Sequence, residues 1–193
     1  MLCHQEAISN YVRSVQTILE SLDLAEIDAV ARILKKAYEE ERTIFVMGNG
    51  GSGSTASHMA CDLNKGACLH AKKKFRVMAL TDNLPTIMAI ANDIDYESIF
   101  VEQLKNFVRP GDVVMGISGS GNSPNVLRAI EYARAAHCTT IGVCGYQGGK
   151  LKPMVDCCFH VKINDMQVVE DVHLMLGHIL MRLLYVGDAH GGC

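Results

Sequence analysis

His58 and Asp62 stand four residues apart, a spacing that sets two side chains on one face of a helix. An imidazole and a carboxylate so placed hold a divalent metal or work as an acid–base pair, unless they are a modest exposed contact and nothing more. A second set lies near the C-terminus. On a wheel of about 100° per residue, Gln167, Glu170, Asp171 and His178 share one sector of the segment Met166–Val186. Val168, Val172, Met175, Ile179, Leu183 and Val186 form the opposite, core-facing stripe, widened by Val169, Leu176 and Leu180. Leu174 and Met181 fall within the polar sector, which suits a face packed on another helix or subunit, and Gly177 would let another backbone come close. Brought together, the two sets supply four ligands or an acid–base constellation.

Two turns rich in glycine and serine carry the binding chemistry. The first, Gly48-Asn49-Gly50-Gly51-Ser52-Gly53-Ser54, follows the apolar run Phe45–Met47. The second, Ser118-Gly119-Ser120-Gly121-Asn122-Ser123-Pro124, follows Val113–Ile117. Glycines bring backbone N–H groups close to a ligand, and the helix that follows adds its positive dipole end, so each turn is an anion cradle. Neither is a P-loop, since no Gly-Lys-Ser/Thr closes it, and the first fits the dinucleotide fingerprint only loosely. Serines in place of lysine suit a phosphate monoester on a small, hydroxyl-rich molecule.

The elements that must position these groups alternate along the chain. Two helical patterns open it, Glu6–Ser21 and Leu24–Glu40. Strands follow at Thr43–Met47, Arg76–Leu80, Asp112–Ile117, Thr139–Cys144 and Cys157–Val161. Between them the pattern predicts helices at Ser54–Lys65, Pro85–Asn92, Tyr96–Val108 and Pro124–Ala136, a glycine-rich loop at Gly145–Gly149, and a last helix over Met166–Val186. This alternation specifies an α/β fold, a three-layer doubly wound, flavodoxin-like sheet of five parallel strands. The organisation expected is one domain over residues 1–193, with N-terminal helices to residue 40, an α/β core over 43–186 and a flexible tail at 187–193.

Composition narrows the partners. A net charge of −3, with Lys72-Lys73-Lys74 as the only basic run, argues against nucleic acid, and that run reads as a solvated loop. No stretch approaches transmembrane length and the N-terminus does not begin a signal peptide, so a cytoplasmic protein is expected, with no membrane partner. The eight cysteines, Cys3, Cys61, Cys68, Cys138, Cys144, Cys157, Cys158 and Cys193, form no CxxC pair and read as reduced thiols.

These segments in this order resemble a sugar isomerase (SIS) domain, and within it the phosphoheptose isomerase family. The resemblance is carried by Gly48–Ser52 with His58 and Asp62, by Ala91-Asn92-Asp93, by Ser118–Ser123, by Gly148–Leu151, and by Val169–Leu174 with Gly177–Leu180. It implies an isomerase that interconverts sedoheptulose 7-phosphate and an aldoheptose 7-phosphate, D-glycero-D-manno-heptose 7-phosphate. It also implies a homotetramer with shared active sites and one divalent metal, zinc, per subunit. The family's metal ligands fall on His58, Asp62, Glu170 and His178. Its phosphate and sugar contacts fall on Asn49, Gly50, Gly51, Ser52, Asn92, Asp93, Ser118, Gly119, Ser120, Ser123 and Glu170. Its general base falls on Asp62 and its general acid on His178.

Three positions depart from the family: Asp62 stands for Glu, Glu170 for Gln, and Gly119 for Thr. The shorter Asp62 draws its carboxylate back by up to about 1.5 Å, one C–C bond. Two histidines and two carboxylates make a zinc site formally neutral and the metal a weaker Lewis acid, and they offer Glu170 as an alternative base. Two other readings stay open: an isomerase for a different sugar phosphate, and a non-catalytic SIS module that senses a phosphosugar or organises an assembly.

Overall fold

The computed structural model describes residues 4–186. The tail expected at 187–193, and with it Cys3 and Cys193, lies outside the described residues. Helices α1 (His4–Glu20) and α2 (Leu24–Glu39) lead into β1 (Ile44–Gly48), α3 (Gly50–Cys61) and a π-helical turn (Asp62–Gly66). Then come β2 (Val77–Ala79), α4 (Leu84–Asp93), a 3-10 turn (Tyr96–Ser98), α5 (Val101–Phe107), β3 (Val113–Ser118) and α6 (Pro124–Ala135). The chain continues through β4 (Thr139–Cys144), α7 (Leu151–Met154), β5 (Cys157–His160) and α8 (Met166–Leu183). The sheet order is β2-β1-β3-β4-β5 with every pairing parallel, the doubly wound order expected.

Alternation along the strands divides the core in two. Ile44 and Val46 face α1, α2, α3 and α8 with Val113, Met115, Ile117 and Ile141. Phe45 and Met47 face the other layer, with Leu104, Val126 and Ile130 from α5 and α6. Both faces of β1 and β3 are therefore buried, which is why these strands read as unbroken apolar runs.

Three boundaries differ from the periodicity. Gly50–Gly53 form the first turn of α3 rather than a preceding loop, because Asn49 in extended conformation starts the helix there. Tyr96–Val108 splits at Ile99–Phe100, where both side chains are buried under the sheet. The short α7 has no periodic pattern to announce it. The core stripe of α8 is also rotated: Val168, Val169, Val172, His173, Leu176 and Leu180 are buried, while Leu183 is 60% exposed.

At the β2 edge of the sheet, Val77 is met by a side chain. Asn64, in the π-helical turn, donates from Nδ2 to the Val77 carbonyl at 2.8 Å and accepts from Val77 N–H at 3.0 Å. It satisfies the outward N–H and C=O of Val77 as a residue of a further strand would. Among the cysteines, Cys61, Cys68, Cys138, Cys144, Cys157 and Cys158 are free thiols, and the Cys144 and Cys158 sulfurs lie 3.4 Å apart across β4 and β5. Lys73 and Lys74 are not merely solvated: each ammonium donates to main-chain carbonyls, of Glu39 and of Cys68 and Leu69. Among the described residues no helix is long and apolar enough to cross a membrane.

Candidate active site

The helices that carry the two turns begin unlike their neighbours. Asp23, Asn83 and Asp165 cap α2, α4 and α8 with their own side chains. Asn49 and Ser123 make no such bond at the starts of α3 and α6. Their side chains are turned elsewhere. Asn49 exchanges two hydrogen bonds of 2.9 Å with the buried Asn125 and accepts a third from the Tyr96 hydroxyl at 3.0 Å. The Ser123 hydroxyl lies 2.9 Å from that of Ser118. The first N–H groups of α3 are thereby left to a ligand, whereas α6 opens on Pro124, which has no N–H, and its Val126 N–H donates to Asn125 Oδ1 at 2.9 Å.

The serine turn is held from behind. Gly145 N–H donates to the Gly119 carbonyl, Leu151 N–H to that of Gly121, and Lys150 N–H to Asn122 Oδ1. Gly121 sits at φ +67°, which lets the turn reverse over Ser118, whose carbonyl accepts from Gly121 N–H. A Cβ at Gly119 would stand 2.5 Å from Met166 Sδ, so the first residue of α8 fills the room that a threonine would need.

Packing of α3 on α8 assembles the titratable groups. Met59 lies against Gly177, where a Cβ would come within 3.0 Å of it, so the room at that glycine is taken by a side chain of α3 and not by a backbone. Beside this contact, at the adjoining residues, His58 Nε2 and His178 Nε2 are 3.3 Å apart, and Asp62 Oδ2 lies 3.5 Å from the first and 3.9 Å from the second. Asp62 is where the α-helix widens into its π-helical turn, with Ala67 N–H donating to the Asp62 carbonyl at 2.7 Å. Such single widened turns recur at functional sites. Asp62 Oδ2 is buried and has no hydrogen-bond partner, an arrangement that costs free energy unless a proton or a cation is present. Two imidazole nitrogens and that oxygen, all within 4.8 Å of one another, fit a divalent ion.

Glu170 is not in this cluster. Its carboxylate lies against Gly51 in the first turn of α3, so close that a Cβ there would collide with it. A negative charge at that place is favoured by the dipole of α3. Ser52 is buried against Gly48, inside the first turn of α3. Asn49 and Gly50 line a cleft of about 340 Å3 together with Ser54, Ser57, Thr81 and Tyr96. Asn92 and Asp93 lie outside that cleft, exposed on the last turn of α4 and hydrogen-bonded to each other at 2.7 Å. Sequence reasoning missed Tyr96, Asn125 and Thr81. The only local signal was the position of Asn125, directly after the proline that opens α6.

Residues 10–145 match the SIS domain family. The chain is 37% identical to the phosphoheptose isomerase of Geotalea daltonii over 93% of its own length and 94% of that protein's. It is 34% identical to the phosphoheptose isomerase of Helicobacter pylori, over 98% and 94% respectively. In structure it resembles the phosphoheptose isomerases of Neisseria gonorrhoeae (TM-score 0.88, 26% identity, 94% and 98% of the two chains) and Francisella tularensis (0.89, 25%, 95% and 99%).

Proposed function

We propose, from the premise that this chain belongs to the phosphoheptose isomerases of the SIS domain family, that it converts sedoheptulose 7-phosphate to D-glycero-D-manno-heptose 7-phosphate. It is an aldose–ketose isomerase of phosphorylated sugars. The observation that carries a catalytic reading over that of a mere sensing module is the convergence of His58, Asp62 and His178 around a buried carboxylate oxygen with no partner. A scaffold has no use for that energetic cost.

The phosphate rests on the N–H groups of the serine turn, with Ser118, Gly119, Ser120 and Ser123 around it. Binding energy gained there holds the reacting carbons in place. Asn49, Gly50, Gly51 and Ser52 receive the sugar, and Asn92 and Asp93, which lie outside the cleft of their own chain, are offered to the site of a neighbouring subunit. A carboxylate then takes a proton from C1 of the ketose and returns it to C2, passing through an enediol, while His178 carries the hydroxyl proton from O1 to O2. Asp62 is the first choice of base, and Glu170, set against Gly51 outside the histidine cluster, is the alternative. His58, Asp62 and His178 would hold one divalent metal, zinc by the nature of the donors, with Glu170 outside that set. Held there, such an ion would supply Lewis-acid polarisation to the substrate. The working form is a cytoplasmic homotetramer of single-domain chains (residues 1–193) that complete one another's sites.

The test is incubation of the purified protein with sedoheptulose 7-phosphate, with and without added zinc, following formation of the aldoheptose phosphate. Turnover that disappears in Asp62→Asn supports the reading. A folded oligomer without turnover in either condition would overturn it in favour of another sugar phosphate or a non-catalytic role.

A further inference from the structure

At the end of the sheet opposite the two turns, a cavity of about 440 Å3 opens among the residues that lead into β1, β2 and β3. Phe45, Met78 and Phe107 give it an apolar wall, and Arg42, Arg76 and Arg109 give it three guanidinium groups. A strand of five residues separates this cavity from the first turn, about 16 Å of sheet at roughly 3.3 Å per residue. The two sites therefore do not overlap.

The acidic residues of the lining are already engaged. Asp112, 4% exposed, accepts from Thr43 N–H and from Arg109 N–H, both at 2.9 Å, and so braces the two strand entrances. Glu41 lies 3.8 Å from the Lys73 ammonium. Arg42 is fixed over Gly111, donating from Nη1 to the Pro110 carbonyl at 3.2 Å. Its Nε is buried without a hydrogen bond, 3.6 Å from Glu40. Arg76 and Arg109 have neither an ion pair nor a side-chain hydrogen bond among the described residues. Two free guanidinium forks match phosphate oxygens, and beside them the ring of Phe107 stands 52% exposed, a face on which a flat ring stacks.

We infer that this cavity binds a nucleoside phosphate, its phosphates on Arg76 and Arg109 and its base against Phe107. A sugar phosphate has no group for the apolar wall, so the site is distinct in chemistry as well as in place from the isomerase site. Titration calorimetry of the full chain with ADP, and separately with inorganic phosphate, tests this. ADP is expected to saturate one site per chain, with phosphate at least tenfold weaker. The Arg76→Ala/Arg109→Ala variant should weaken ADP at least tenfold while melting temperature and isomerase turnover stay unchanged, since both side chains are exposed and lie outside the catalytic assembly. Phe107→Ala should weaken ADP but not phosphate. Absence of saturable ADP binding, equal affinity in the double arginine variant, equal affinity for phosphate alone, or displacement of ADP by sedoheptulose 7-phosphate would each overturn the inference. Failure here leaves the isomerase reading intact, because turnover is measured separately.

Discussion

Asp62 and His173 are two polar side chains whose burial has opposite meanings. The lone oxygen of Asp62 faces two imidazoles, and its chemistry follows from what it meets there. Asp62→Asn keeps the volume and removes the charge. Turnover of sedoheptulose 7-phosphate should fall by roughly 10²–10⁴-fold, the usual worth of a positioned acid or base. Asp62→Glu, which restores the family's residue, should retain activity. His173 is fully buried against Phe159 with neither ring nitrogen hydrogen-bonded, and desolvation pushes its pKa down from 6.5 to about 4. The unfolded chain thus takes up a proton at a higher pH than the folded one. This residue's contribution is whole above pH 6.5 and is lost as pH falls towards 4, by about 3 kcal/mol in all. Urea unfolding between pH 7 and pH 4 should show that slope in the natural chain, and a shallower one in His173→Leu. The spacing of His58 and Asp62 was legible in sequence because it is local. The burial of His173 was not, since the wheel drawn for the last helix was turned by about one position from the face that packs.

At the scale of elements, the site is a junction between helix ends. Met166 at the start of α8 fills the space beside Gly119, so Gly119→Thr overpacks the junction. A loss of about 1–3 kcal/mol is expected in denaturant melts, relieved when Met166→Ala is added. Tyr96 fixes the orientation of Asn49 from across the cleft. Tyr96→Phe removes one hydrogen bond, which should raise KM for the sugar phosphate by about two- to tenfold with little effect on the melting temperature. The order of strands and helices could be read from the alternation of patterns, and both glycine-serine turns from their composition. The partnership of Asn49 with Tyr96 and Asn125 could not. It spans 47 and 76 residues of chain, and only the folded sheet brings those positions together. Glycines also hid the start of α3, because their low helical propensity makes a first turn look like a loop.

At the scale of the whole molecule, one chain leaves apolar surface uncovered. None of the residues of α4 is buried, and Leu84, Met88 and Ile94 are 62%, 70% and 58% exposed. Patches of that kind mark interaction surfaces, and the proposed tetramer supplies a cover. Met88→Glu should lower the mass measured by sedimentation and reduce turnover with it, if neighbouring subunits complete the site.

The π-helical turn has a further consequence. It holds one residue more than an α-helical turn would, and Asp62 and Asn64 lie on it two places apart. Deleting a residue from that turn would swing everything after it by about a quarter of a revolution, carrying Asn64 away from Val77 and exposing the raw border of the sheet. The insertion that sets the carboxylate thus also keeps the outward backbone groups of Val77 from pairing with a strand of another molecule.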